Sequence, residues 1–135
     1  MKKTLLSGLL AASFLIFSCS KGGSKDCDPT VENLAGTYKI VSMKAMGQDI
    51  LSDYLEPCEQ DNKFVLNANG TYTTIDAGTA CDPPSEGVGS WSITGNVFSF
   101  DELLFPMNIV SFDCKTLKVS YTEMGVTVEA TLKKD

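Results

Sequence analysis

The chain has 135 residues and a mass of 14.5 kDa, which leaves room for one domain. It contains no histidine and no arginine, so imidazole base catalysis, histidine-ligated metals and guanidinium contacts to bases are excluded. With 17 acidic residues against 11 basic ones the net charge is −6, and such a surface is repelled by phosphate backbones. The sequence therefore predicts a non-enzymatic domain with no catalytic residues, metal, cofactor or nucleic-acid partner.

Residues 1–18 have the features of an export signal. Lys2 and Lys3 precede a run of apolar or small residues, 5–17, that is too short to cross a bilayer as a helix. The run ends at Ser18-Cys19 and resembles the bacterial lipobox, in which a small residue precedes a cysteine that is lipidated and becomes the new N-terminus. The resemblance implies that Cys19 carries a lipid anchor, and the alternative is an ordinary signal peptide. Loss of the two leader lysines would take the net charge to −8.

Residues 19–33 are expected to be the lipidated cysteine and a flexible tether. Residues 20–26 contain only Gly, Ser, Lys and Asp, so they have no apolar side chain to bury. Some lipoproteins reach the cell surface when acidic residues closely follow a lysine behind the anchor, whereas Lys21 is followed by glycines. We expect a cell-envelope protein held by its lipid at the outer membrane, facing either the periplasm or the exterior.

Residues 34–135 are expected to form the folded domain. A first strand is predicted over residues 36–43. Ser52 can cap one helical turn over residues 52–56, because Glu56 lies near the capping-box position.

The next predicted element is a hairpin around Asn69-Gly70, a dipeptide that suits a two-residue turn. A two-residue turn pairs residue 68 with residue 71, so the numbers of any two paired residues add up to 139 and Phe64 faces Ile75. The same register continued outward places Cys58 opposite Cys81, within disulfide distance.

The four cysteines after Cys19 allow three pairings in an oxidising compartment. If Cys58 pairs with Cys81, elimination leaves Cys27–Cys114. The alternative is that Cys27 is free in the tether.

A second hairpin is predicted around Gly95-Asn96, with opposed residue numbers summing to 191. Its inner face is apolar and its outer face almost entirely polar, as in an antiparallel sheet with one face exposed to solvent. Residues 105–112 are apolar on both faces. Pro106 has no backbone N–H to donate, so the start of this segment is expected at a sheet edge or in a bulge. Residues 117–122 and 126–132 alternate as two further strands, joined through residues 123–125.

About eight short strands without a long helical period predict an all-β protein. Consecutive tight hairpins favour an antiparallel up-and-down barrel, and closure of the barrel removes aggregation-prone edges.

Several of these residues resemble a known family. Gly36-Thr37-Tyr38 is similar to the Gly-x-Trp opening of lipocalins, with Tyr38 in place of tryptophan. The order of Cys58, Asn69-Gly70, Cys81 and Trp91 resembles the lipocalin-like lipoproteins of Gram-negative bacteria, over residues 34–133. Lipocalins often pack a cation from near the last strand over the opening aromatic ring, and here only Lys133 or Lys134 could do so.

The resemblance implies a barrel that binds a small apolar molecule. Six aromatic side chains are predicted to point inward and are the candidate ligand contacts, with plain core packing as the alternative. They are Tyr38, Phe64, Trp91, Phe98, Phe100 and Tyr121.

Two functions follow from the sequence. The first is a membrane-anchored carrier of a small hydrophobic molecule. The second is an interaction module with a side-chain-filled barrel, whose loops bind an envelope protein or a glycan; the loop over residues 77–89 is the candidate edge. Asp76, Asp82 and Glu86 in or near this loop are expected to be solvated rather than catalytic.

Overall fold

The computed structural model describes residues 27–102 and 106–135. The export signal, Cys19, residues 20–26 and Phe105 lie outside the described residues. Within the described ranges, no helix is both long and apolar enough to cross a membrane.

The described chain forms two one-turn helices and nine strands, each strand antiparallel to its neighbours. β2 pairs only with β1, whereas β1 also pairs with both β3 and β9 and so closes the sheet. Eight strands, β1 and β3 to β9, therefore make the closed up-and-down barrel that the sequence predicts. In chain order the elements are α1 (Val31–Leu34), β1 (Gly36–Ala45), β2 (Gln48–Asp49), α2 (Leu51–Tyr54), β3 (Lys63–Leu66), β4 (Thr71–Ile75), β5 (Gly87–Thr94), β6 (Val97–Phe100), β7 (Met107–Phe112), β8 (Thr116–Glu123) and β9 (Val126–Lys134).

The end of the barrel next to α1 is filled by side chains. Leu34 and Tyr38 are fully buried there, and the Tyr38 hydroxyl donates to the Leu34 carbonyl oxygen at 2.8 Å. Trp91 is also buried, and its Nε1 donates to the carbonyl oxygens of Asn67 and Thr71, both at 3.0 Å. Because the buried polar atoms of these rings have partners, this end is a packed and closed floor.

Lys134 supplies the cation that covers the Tyr38 ring, the aromatic residue of the Gly36-Thr37-Tyr38 motif. Its Nζ lies 5.6 Å from the centroid of the Tyr38 ring and donates to the Asn33 carbonyl oxygen at 2.8 Å. A side chain at Gly36, where φ is +150°, would collide with the Lys134 stem. Gly36, Tyr38 and Lys134 therefore pack together at the closed end, with the ammonium group over the ring and the lysine stem against the glycine.

Both ends of the described chain lie at this closed end. Cys27 is bonded to Cys114 with a Cα–Cα distance of 5.3 Å, and its backbone N–H donates to the Phe112 carbonyl oxygen at 2.9 Å. The Asp135 N–H donates to the Thr37 carbonyl oxygen at 2.9 Å. The pairing reached by elimination is confirmed, and residues 27–33 pack against the barrel ahead of the boundary expected at residue 34.

The register predicted for the hairpin of β3 and β4 is wrong by one residue. Phe64 pairs with Thr74 rather than Ile75, so opposed numbers sum to 138. The loop has three residues, because the Asn67 N–H donates to the Thr71 carbonyl oxygen and only Gly70, at φ 84°, has a positive φ in the turn. This is a type I turn followed by a left-handed glycine, and it shifts the ladder by one position relative to a two-residue turn.

Cys58 and Cys81 nevertheless form a disulfide, with a Cα–Cα distance of 5.3 Å. The ladder of β3 and β4 ends at Lys63 and Ile75, so the bond joins two loops beyond the hairpin. The predicted pairing is confirmed, but an unbroken extension of the strands does not produce it.

The two later hairpins follow the prediction. Trp91 pairs with Phe100, which gives the sum of 191, and Gly95 with φ 59° suits the first position of a type II′ turn. β8 and β9 are joined through Met124 and Gly125, with φ values of 49° and 82°. Glu123, expected in the connection, is the last residue of β8.

Two local elements differ from expectation or refine it. α2 begins at Leu51, whose N–H donates to Asp49 Oδ1 at 3.0 Å, so Ser52 lies inside the helix and does not cap it. β7 begins directly after Pro106 and has an irregularity between Ile109 and Ser111. Such a bulge explains why the apolar residues of this strand do not alternate regularly.

Candidate ligand-binding cavity

A cavity of about 410 Å³ occupies the half of the barrel opposite the closed end. From β1 it is lined by Ile40 and Met43, which follow the buried Tyr38 along the strand away from α1. Its mouth is formed where α2, β4, β6 and β8 end, by Tyr54, Thr74, Glu102 and Glu123. The remaining lining side chains are apolar or aromatic: Leu55, Phe64, Tyr72, Phe98, Phe100, Met107, Val119, Tyr121, Ala130 and Leu132.

The period of two along each strand supplies this apolar lining. On β8 the buried Val119 and Tyr121 alternate with more exposed polar neighbours, and on β9 the buried Ala130 and Leu132 do the same. Ala130 is the smallest side chain of the lining, and it leaves space where a larger side chain would fill the barrel. Alternation therefore sets the polarity of the interior, and side-chain size sets the room within it.

A row of aromatic rings in mutual contact forms one wall of the cavity and continues into the packed floor. The Tyr72 and Phe100 rings meet edge to face at a centroid distance of 4.8 Å, and Phe100 meets Phe98 in the same way at 4.8 Å. Phe98 in turn lies 5.6 Å from Trp91 at the closed end. These contacts fix the ring orientations, so the wall is built before any ligand arrives.

The mouth carries two carboxylates and the Tyr54 phenol, and the phenols of Tyr72 and Tyr121 lie in the rest of the lining. The Tyr54 hydroxyl donates to Glu123 Oε2 at 3.3 Å and so connects α2 to the end of β8. Glu123 is also the main reason that the pKa of Tyr54 is raised. Burial raises the pKa of Tyr72, with the Glu102 carboxylate adding to it, and burial also raises the pKa of Tyr121. The phenols therefore stay protonated at neutral pH.

Four of the six aromatic residues predicted to contact a ligand line the cavity. These are Phe64, Phe98, Phe100 and Tyr121. Tyr38 and Trp91 are buried at the closed end and are not part of the lining.

Tyr72 is the main lining residue that the sequence argument missed. The expected register placed it on the outer face, because a shift of one residue exchanges the faces of a strand. In the structure Tyr72 pairs with Leu66, and both are buried, whereas Ile75 is 41% exposed. The bulky Tyr72 between Thr71 and Thr73 was the signal that could have corrected the register.

Asp76 belongs to a loop cluster held by the disulfide of Cys58 and Cys81. Its carboxylate accepts from the backbone N–H of Cys81 at 3.0 Å and of Ser85 at 3.4 Å. Asp82 and Glu86 are exposed. Asp76 therefore shapes the loop.

A closed antiparallel barrel of eight strands with an apolar cavity at one end is an architecture that holds small ligands. A family model described as a lipocalin-like domain matches residues 34–126, which is most of the chain. The chain therefore belongs to the lipocalin-like domain family. A comparison with curated proteins finds no match.

Proposed function

We propose that this protein is a membrane-anchored, non-enzymatic carrier of a small hydrophobic molecule in the cell envelope. The observation that carries the proposal is the cavity, whose volume of about 410 Å³ lies within the range of small-molecule sites. Its lining is apolar and aromatic apart from Thr74, Glu102 and Glu123 at the mouth. Sites that bury an apolar ligand have this composition.

The cavity also favours the carrier over a module that binds only through its loops. In a barrel filled by its own side chains, the half away from α1 would be packed as densely as the floor around Tyr38 and Trp91. Side chains fill one half of this barrel, and the other half has room for a ligand.

Native mass spectrometry tests the carrier function. The protein to use is residues 20–135, which contain every described strand and both disulfides, recovered from an oxidising periplasm and compared with a denatured control. We expect an additional noncovalent mass of lipid or metabolite size, either as purified or after incubation with an envelope lipid extract.

Ala130→Phe supplies the matched variant for that measurement. The new ring would occupy the cavity, so the added mass should disappear. Glu129→Phe on the exposed outer face of the same strand is the control and should retain the mass. Retention of the ligand by both variants would show that it binds elsewhere.

The anchor rests on the lipobox-like residues before Cys19 and needs its own test. Cys19→Ser in the full chain should abolish incorporation of a labelled fatty acid into the protein, because the lipid attachment site is lost. Cys27→Ser is the control, since that cysteine forms a disulfide in the folded domain. Fatty-acid labelling that persists in Cys19→Ser would contradict the anchor.

A further inference from the structure

Among the described residues, the charges at the cavity mouth are all of one sign. Glu102 follows β6 and Glu123 ends β8, and both line the opening. Glu102 is exposed, and Glu123 is half-buried and accepts from the Tyr54 hydroxyl, so both carboxylates lie at the solvent-facing opening of the cavity. No lysine is among the described lining residues, and the chain has no arginine or histidine to balance the two charges.

The aromatic lining has the same electrostatic preference. The face of each ring carries the negative end of a quadrupole, which attracts ammonium groups and repels anions. Six of the described aromatic residues line the cavity. Three of them, Tyr54, Tyr72 and Tyr121, have phenol pKa values raised by the mouth carboxylates, by burial or by both. An anionic head would meet negative charge and ring faces, with no cationic side chain to receive it among the described lining residues.

We propose that the cavity takes an apolar molecule with a single cationic head, an amine or a quaternary ammonium group. Its apolar body lies against Phe98, Phe100 and Met107, and its head lies at the mouth beside Glu102 and Glu123. This inference rests on the proposed carrier function and adds the chemical class of the ligand. Anionic lipids such as free fatty acids are then poor ligands.

Three probes with the same chain separate the charge preference from apolar binding. Decyltrimethylammonium, decanol and decanoate are titrated into oxidised residues 20–135 at neutral pH and low salt. Calorimetry is run below the micelle-forming concentrations of the two ions and below the solubility limit of decanol. We expect the cation to bind about tenfold more tightly than decanol, and decanoate about tenfold more weakly, since partly desolvated charges and ring faces act on the head group. The preference should shrink as salt is added, because the mouth is open to solvent.

Glu102→Gln combined with Glu123→Gln tests whether these carboxylates cause the preference. The affinity for decyltrimethylammonium should fall to within about threefold of the decanol value, while decanol binding is unchanged, because the apolar lining is intact. Glu129→Gln is the matched control. This exposed carboxylate on the outer face of β9 is outside the cavity lining, and its removal should leave all three affinities as they are.

The outcomes separate the two proposals. Binding of decanol with decanoate at least as tight as the cation overturns the cationic-head proposal and leaves the carrier function standing. A tenfold preference for the cation that survives the double substitution overturns the placement of the head beside Glu102 and Glu123, because the ring faces or another group would then be its source. Failure of all three probes to bind overturns the carrier function and the ligand class together.

Discussion

Tyr38 makes the closed end of the barrel sensitive to alkaline pH. Burial raises its pKa from 10.0 to about 12, so the folded state favours the protonated phenol. The resulting stabilisation is fully present below pH 10 and is lost as the pH rises through about 12. We therefore expect the free energy of unfolding, measured with urea, to fall steadily over that interval.

Tyr38→Phe tests this assignment. The variant should lose about 1 kcal/mol at neutral pH, because the buried Leu34 carbonyl oxygen loses its donor. It should also show a shallower decline at alkaline pH, with the remaining slope coming from Tyr72 and Tyr121, whose pKa values are also raised. Parallel declines in the variant and the wild type would mean that Tyr38 does not contribute.

Met124 is a second residue whose local geometry predicts a measurable effect. It is fully exposed at the tip of the β8–β9 hairpin and has a φ of 49°, a conformation that asparagine tolerates better than methionine. Met124→Asn should raise the free energy of unfolding by about 0.5–1 kcal/mol in urea titrations. Gly125→Ala, at φ 82°, should lower the free energy of unfolding. A less stable Met124→Asn variant together with a more stable Gly125→Ala variant would contradict the turn geometry.

At the scale of elements, the hairpins show how far a turn sequence specifies register. Gly95-Asn96 gave the right ladder because Gly95 takes the positive φ that a two-residue turn needs. Asn69-Gly70 carries an equally strong signal, yet Asn69 uses its side chain to accept from the Thr71 N–H and hydroxyl at 3.0 and 2.7 Å. These bonds favour the three-residue loop, and the dipeptide alone does not reveal them.

The two disulfides should contribute unequally to stability because they close loops of different length. Cys58 and Cys81 are 23 residues apart and Cys27 and Cys114 are 87 apart. Loop entropy assigns them about 3.4 and about 4.6 kcal/mol respectively. The paired Cys→Ser variants, unfolded in urea, should therefore rank in that order, with the Cys27 and Cys114 variant the less stable. The reverse order would mean that the disulfides act on stability mainly through the folded state and not through the entropy of the unfolded chain.

At the scale of the whole molecule, the barrel was predictable and the cavity only in part. Alternation along β5, β6, β8 and β9 gives the inner face directly, and it identified Phe98, Phe100 and Tyr121 correctly as inward. Whether inward residues line a space or pack in the floor depends on their height along the barrel. Height follows from register and strand stagger, so Tyr38 and Trp91 could not be told from the lining residues by sequence alone.

Closure of the barrel by β1 and β9 gives a prediction for the whole chain. The family match ends at residue 126, whereas β9 continues to Lys134 and contributes the buried Val128, Ala130 and Leu132. A chain ending at residue 126 would leave β1 and β8 without their shared neighbour, as two free edges. We expect it to aggregate and to lose cooperative unfolding, as measured by size exclusion and circular dichroism.

A chain lacking only Asp135 is the control for that truncation. It loses an exposed ion pair with Lys63, which contributes at most about 1 kcal/mol, and one terminal backbone hydrogen bond to Thr37. It should remain folded and monodisperse. A soluble, cooperatively folding chain that ends at residue 126 would show that β9 is dispensable for closure.

Cys27 and the cavity mouth lie at opposite ends of the barrel, which bears on how the proposed carrier would be loaded. If Cys19 carries the proposed lipid, the chain enters the domain at the closed floor, at the end of the barrel opposite the opening. A molecule drawn from the anchoring bilayer would then reach the opening only when the domain turns toward the membrane on the tether expected over residues 20–26. A molecule arriving through the aqueous space, or handed over by a protein on the far side, meets the opening directly. If the protein is the anchored carrier that we propose, this arrangement suits reception from outside the anchoring membrane better than extraction from it.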